Sequence, residues 1–234
     1  LAELKEIIDR YMKKVPEVRK YCDRCLGTRR WDGNVVLMIV DAAFTSIGLN
    51  YFKTVVPKVE EFKRKFIDTR RITSLKDLTS MDIEELRNIW KNRRSWEIAK
   101  NIASILDKIK EQNNLTDKDA FVLWAKNSKL ESWKEDIIGK TKGVGINTYQ
   151  YLRMMAGIDT VMPDKIVKRV LKEISSEAGE ELLFEDDIAF IKEVHKIAEK
   201  TGYRPIEICW MTWLVHSESS LSREKGYSEI LTKI

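Results

Sequence analysis

Two short stretches carry residue types suited to chemistry on an anionic polymer. The first is Lys140-Thr141-Lys142-Gly143-Val144-Gly145, and the second is Pro163-Asp164, heading a segment with Lys165, Lys168 and Arg169. Glycines one residue apart let a backbone turn tightly and come close to another molecule. A helix starting near Ile146 would aim its first amides outward, which makes a ready anion site. Lys140 and Lys142 add whole charges. A nucleic-acid phosphate suits all of these features, and such contacts fix position without reading sequence. The same residues also describe a plain turn between helices with solvated lysines.

Asp164 poses the sharper question. An aspartate at the head of a helix is an ordinary N-cap. Beside a bound phosphate backbone, though, its carboxylate would be repelled. It then needs a compensating use, such as stabilising positive charge that develops on a sugar.

The elements that must position these residues are helical. The chain has 234 residues, of which 43% are hydrophobic, so it can bury a real core. It has only ten glycines and four prolines, and few segments alternate apolar with polar residues. Helical period is read over Leu1 to Val15, from Pro16 onward, over Asn34 to Ile47, and over Tyr51 to Ile67. Further helices are expected from Met81 to Lys91 with Ser80 as cap, and from Trp96 to Gln112. They continue from Asp117 to Asn127 with Thr116 as cap, and over Leu130 to Ile138. Asp186 to Lys200, Pro205 to His216 and a short terminal helix complete an all-α reading. The segments around Gly27 to Gly33 and Arg70 to Thr79 read as breaks.

Composition bounds the setting. Net charge is +5, which allows a nucleic-acid or anionic-membrane partner without requiring one. The three cysteines, Cys22, Cys25 and Cys209, argue against a disulfide framework and for a reducing compartment. Cys22 and Cys25 have CxxC spacing, but no second pair or nearby histidine completes a metal set, and on a helix they simply share a face. No run of eighteen apolar residues exists, and the first residues read as an amphipathic helix rather than a signal peptide. An intracellular protein, cytoplasmic or nucleoid-associated, is expected.

Several other side chains are open to two readings. Trp210 and Trp213, at i and i+3, are either core or the walls of a pocket for an extruded base. Asp41 and Asn50 flank a very apolar helix and either read a base edge or sit at its surface as caps. Tyr149 is assigned to packing or a phosphate contact, and His195 and His216 to structure.

The combination Gly143-Val144-Gly145-x-x-Thr148, an apolar run to Gly157, then Pro163-Asp164-x-x-Val167-x-Arg169-Val170 resembles the helix-hairpin-helix DNA glycosylase superfamily. With a weaker likeness over Thr54 to Phe62, the matching covers about a third of the chain. The resemblance implies a two-lobed helical bundle: a central lobe over 34–145 ending in the hairpin, and a second lobe from 1–33 with 146–234. It implies a monomer acting on double-stranded DNA with a lesion or mismatch, no membrane partner, a base flipped into the cleft, and Asp164 assisting cleavage of its glycosidic bond. Lys140, Lys142, Gly143, Val144, Gly145, Thr148, Lys165 and Lys168 would face DNA, and no cofactor is expected beyond a monovalent cation at the hairpin backbone. Asn147 stands where lyase-competent members carry a lysine, so a hydrolase without strand cleavage is expected. The iron–sulfur cysteines of some members are missing, and Thr141-Lys142 replaces the usual leucine-proline. Leu49 stands as the candidate wedge, with plain core as its alternative.

Overall fold

The computed structural model describes residues 3–221 and Ile234, with side chains described as far as His216. The expected terminal helix lies outside the described residues, as do Leu1 and Ala2. The described residues form twelve α-helices: α1 (Leu4–Lys13), α2 (Val18–Leu26), α3 (Val35–Thr45), α4 (Val56–Phe62), α5 (Leu75–Ser80), α6 (Ile83–Leu86), α7 (Arg93–Asn113), α8 (Asp117–Asn127), α9 (Ile146–Met155), α10 (Lys165–Glu177), α11 (Asp187–Thr201) and α12 (Pro205–Leu221). No strand occurs among the described residues, so the all-α expectation holds. None of the described helices is long and apolar enough to cross a membrane.

Capping chemistry sets many of the boundaries. Thr116 Oγ1 accepts from the Asp119 amide at 3.1 Å, and Asp186 Oδ1 from the Ala189 amide at 2.7 Å, so α8 and α11 start where their caps stand. The region after Arg70 differs from expectation. Ser74 caps α5, and Ser80 closes that helix with its hydroxyl on the Lys76 carbonyl. Asp82, not Ser80, then caps the one-turn α6. The residues from 51 to 67 run as one rod, with π-helical turns at Tyr51–Val55 and Lys63–Ile67 on either side of α4.

α3 is apolar all round, and every residue from Val35 to Phe44 is buried. It packs on α7, which in turn holds α5 and α8. α1, α2, α10, α11 and α12 pack among themselves. α9 touches both groups, meeting α3 on one side and α2 on the other. Cys22 and Cys25 sit fully buried in α2, and burial pushes the Cys25 thiol up to about 11.

One polar network fastens these elements. Asp41 on α3 is 0% exposed, so it lies neither at a surface nor at a cap. Its Oδ2 accepts from Arg30 Nη2 at 3.1 Å, Trp31 Nε1 at 2.8 Å and Tyr51 Oη at 2.9 Å, while Tyr151 Oη of α9 lies 3.1 Å from both carboxylate oxygens. Arg30 also donates to the hydroxyls of Tyr51 and Tyr151. A buried pair contributes little against apolar residues of the same shape, but removing one partner strands the other charge. Asp41→Asn should therefore cost about 3–5 kcal/mol in urea-induced unfolding; a loss below about 1 kcal/mol would contradict this account.

Candidate functional site

The turn before α9 shows why its two glycines differ. Gly143 has φ +91°, and a Cβ there would lie 2.8 Å from Ile98 Cδ1 of α7. The fold itself requires that glycine. Gly145 is the N-cap of α9 with φ −97°, and a Cβ there would meet nothing within 4 Å. Neither backbone conformation nor packing requires glycine at 145. Its effect is to leave the head of α9 uncovered, with no side chain capping it.

Lys140 and Lys142 are exposed beside this opening, whereas Val144 is buried. Thr148, expected to face a partner, is only 5% exposed. The reason is that every residue of α9 from Thr148 to Met155 is buried, so beyond its first turn the helix reaches an opening only through the Arg153 side chain. The helix expected over Leu130 to Ile138 is instead a 3₁₀ turn at Leu130–Ser132 followed by turns. Asp136 Oδ1 takes the Ile138 and Gly139 amides at 2.8 and 3.2 Å and the Trp124 indole at 3.0 Å, drawing those amides off the helical ladder.

Asp164 caps α10, its Oδ1 accepting from the Val167 amide at 2.8 Å. The side chain is half-buried, and no lysine or arginine pairs with it among the described residues. Burial raises its carboxyl above the ordinary aspartate range, while the Val167 amide, the Trp213 indole, the Ile166 amide and the charge of His216 pull the other way. Trp213 Nε1 is near enough to act on that carboxyl, yet it is buried without a hydrogen bond of good geometry. Of the neighbouring cations, Lys165 is exposed, but Lys168 is turned to Asp187 and lies over the Phe184 ring. Lys168 is thus committed within the fold, against the expectation that it faces a partner.

Behind Asp164 lies a small apolar cavity of about 10 Å³, room for about one water molecule. Cys25, Tyr151, Met154, Met162, Cys209, Trp210 and Trp213 line it. Trp210 is buried against Arg30, whose guanidinium carbon is 5.2 Å from the ring centre, and the two tryptophan rings stand 6.3 Å apart. Trp210 Nε1, Trp213 Nε1 and Asn147 Oδ1 are all buried without a partner. Asn147, Tyr151 and Met154 fall at i, i+4 and i+7, one face of α9, and the last two line the cavity. Orphaned polar atoms of this kind are rare and call for a physical reason.

Ser46 to Asn50 form an exposed loop ahead of the π-helical turn. Leu49 is 47% exposed, so it is not core, and Ile47 beside it is also exposed. Asn50 spends its Oδ1 on the Lys53 amide at 2.9 Å as a cap. Tyr149 is packed between Trp124 and Trp133. Nothing in residue type or spacing marks Arg30, Tyr51 and Tyr151 as members of one network. Arg30 sits in a loop without period, beside Trp31 and Asp32 at positive φ, and nothing in the residue string marks those conformations.

Two measurements check this geometry. Gly143→Ala should lose about 1–3 kcal/mol from backbone strain and the Ile98 clash, while Gly145→Ala should stay within about 0.5 kcal/mol of wild type in thermal unfolding. For Asp164 the raised pKa means that the folded state favours the protonated form. That stabilisation is fully present below the ordinary aspartate value and is lost as pH rises through the raised one. Asparagine caps as well as aspartate. The stability of Asp164→Asn relative to wild type should therefore increase between about pH 3 and about pH 7; a decrease would show that the charged form is the favoured one.

Among known families, the model described as "Domain of unknown function (DUF8548)" matches residues 7–217. No curated protein and no solved structure matches the chain. The matched span contains the open turn before α9, Asp164 and the tryptophan pair of α12. The chain belongs to the DUF8548 family.

Proposed function

We propose that this protein is a DNA base-excision glycosylase of the helix-hairpin-helix type, a two-lobed helical bundle that hydrolyses the N-glycosidic bond of a flipped base. The observation that carries the reading is Asp164: a half-buried carboxyl with no lysine or arginine paired to it among the described residues, beside the buried Trp213 indole. The uncovered head of α9 with Lys140 and Lys142 suits a phosphate of one strand. Leu49 and Ile47, exposed on one loop, suit a wedge that fills the place of an extruded nucleotide.

In this mechanism the hairpin amides and lysines fix the backbone and the loop props the gap. The extruded base enters beside Trp210 and Trp213, whose N–H groups and the Asn147 oxygen gain partners. As the glycosidic bond breaks, its electron pair leaves with the base and positive charge grows on the sugar. The Asp164 carboxylate stabilises that charge, and water adds to the anomeric carbon with loss of a proton. Asn147 has no amine, so no imine forms and the strand stays intact. Electrostatic help of this sort is strong only where the site is dry and prearranged.

One observation favours a second reading, a DNA-binding protein of the same type without chemistry. The cavity behind Asp164 is far smaller than a base, so entry requires Trp213 or Met162 to move.

The two separate by assay on duplexes carrying uracil, thymine opposite guanine, 8-oxoguanine or an alkylated adenine, developed with hot alkali. The glycosylase reading expects cleavage of at least one, a loss on the order of 10²–10³ in rate for Asp164→Asn with binding retained, and no adduct trapped by borohydride. Salt-dependent binding with no product from any lesion would leave the binding-only reading standing. A borohydride adduct would overturn the assignment of Asn147.

A further inference from the structure

The last turn of α9 holds a charge that the hairpin reading does not use. Arg153 is only 8% exposed. Its Nε donates to Ser128 Oγ at 2.8 Å and its Nη1 to Gln150 Oε1 at 2.7 Å. Both partners are neutral, Nη2 has no partner, and no carboxylate pairs with Arg153 among the described residues. The carbonyls at the end of α9 offset part of this charge, typically by no more than about 2 kcal/mol. The Asp136 and Glu131 carboxylates act on it from beyond ion-pair distance, and its guanidinium carbon lies 5.7 Å from the centre of the Tyr149 ring. The fold thus holds a mostly buried guanidinium with no anion in direct contact.

Arg153 lines an open groove of about 460 Å³, between the 3₁₀ turn at Leu130, the link from α9 to α10, and α11. That volume lies in the range of small-molecule sites. The other charges around it are mostly engaged. Lys192 and Glu131 stand 3.7 Å apart as a pair, and Asp159 Oδ1 accepts from the Ile206 amide at 3.0 Å. His195 Nε2 lies 3.1 Å from Thr160 Oγ1, and burial holds its pKa below the usual histidine value. Lys129 is exposed and in no ion pair. Leu130, Ile158 and Ile191 give the groove apolar walls.

We propose that this groove binds a small organic oxyanion. Its phosphate or carboxylate oxygens would meet Arg153 and Lys129, and its apolar body would lie on Leu130, Ile158 and Ile191. Arg153 lies in the last turn of α9, about 12 Å along the helix from Gly145, so the site stands whether or not the chain excises bases.

Calorimetric titration of the whole chain at fixed ionic strength tests this with phenyl phosphate, benzoate and inorganic phosphate. Saturable binding is expected, with at least one aromatic anion tighter than inorganic phosphate; whichever of the two binds tighter identifies the anionic group. Lys129→Glu, a surface change, should weaken that binding roughly two- to fivefold. Lys140→Glu with Lys142→Glu should leave it unchanged. Arg153→Met should abolish it, and if that variant does not fold, Lys129→Glu decides. The inference is overturned by no saturable binding of any probe, or by binding that Lys129→Glu leaves intact and the hairpin pair removes.

Discussion

The Asp41 carboxylate, wholly out of water, is the constraint on which the rest of the structure hangs. A charge in that place persists only if several donors converge on it. The donors come from far apart in the chain: Arg30 and Trp31 before α3, Tyr51 at the head of the π-helical turn, and Tyr151 in the middle of α9. Burial also pushes both phenols up, so they stay protonated and able to donate. Meeting that one requirement fixes how α9 sits against α3. It also sets where the exposed loop of Leu49 and the head of α9 lie, because Tyr51 and Tyr151 each belong to the element concerned.

α9 then acts as the spine of the molecule. Its first turn carries an open glycine and exposed lysines, its middle carries Tyr151, and its last turn carries the unpaired guanidinium of Arg153. Its head is exposed, while the residues from Thr148 to Met155 are packed. A helix buried over that stretch cannot shift without breaking the Asp41 network, so anything bound at its head would meet a rigid clamp. The aromatic pair of α12 packs on the same network, Trp210 against Arg30 and Trp213 against Tyr51.

Much of the fold was legible because its signals are local. Thr116, Asp164 and Asp186 announce helix starts by short-range chemistry, and the apolar run before Thr45 announces a buried helix by its composition alone. The segment from Leu130 to Ile138 misled because Asp136 turns its side chain onto nearby amides, and Ser80 misled because Asp82 is an equally good cap two residues on. The candidate site was legible only in part. Type and spacing single out Gly145, Lys140, Lys142 and Asp164, and the loop singles out Leu49. That Thr148 is buried and Lys168 is paired with Asp187 is not visible there, since a side chain's direction depends on what packs around its helix.

The sequence by itself determined the helical class, most helix starts, the turn before α9 and the acid that heads α10, because each follows from neighbours within a turn or two of helix. Tertiary structure alone decided that Asp41 is the centre of a buried network, that Arg30, Tyr51 and Tyr151 converge on it, and that no carboxylate pairs directly with Arg153 among the described residues. Those facts depend on desolvation and on contacts between residues as much as 121 positions apart, and neither is encoded in local spacing.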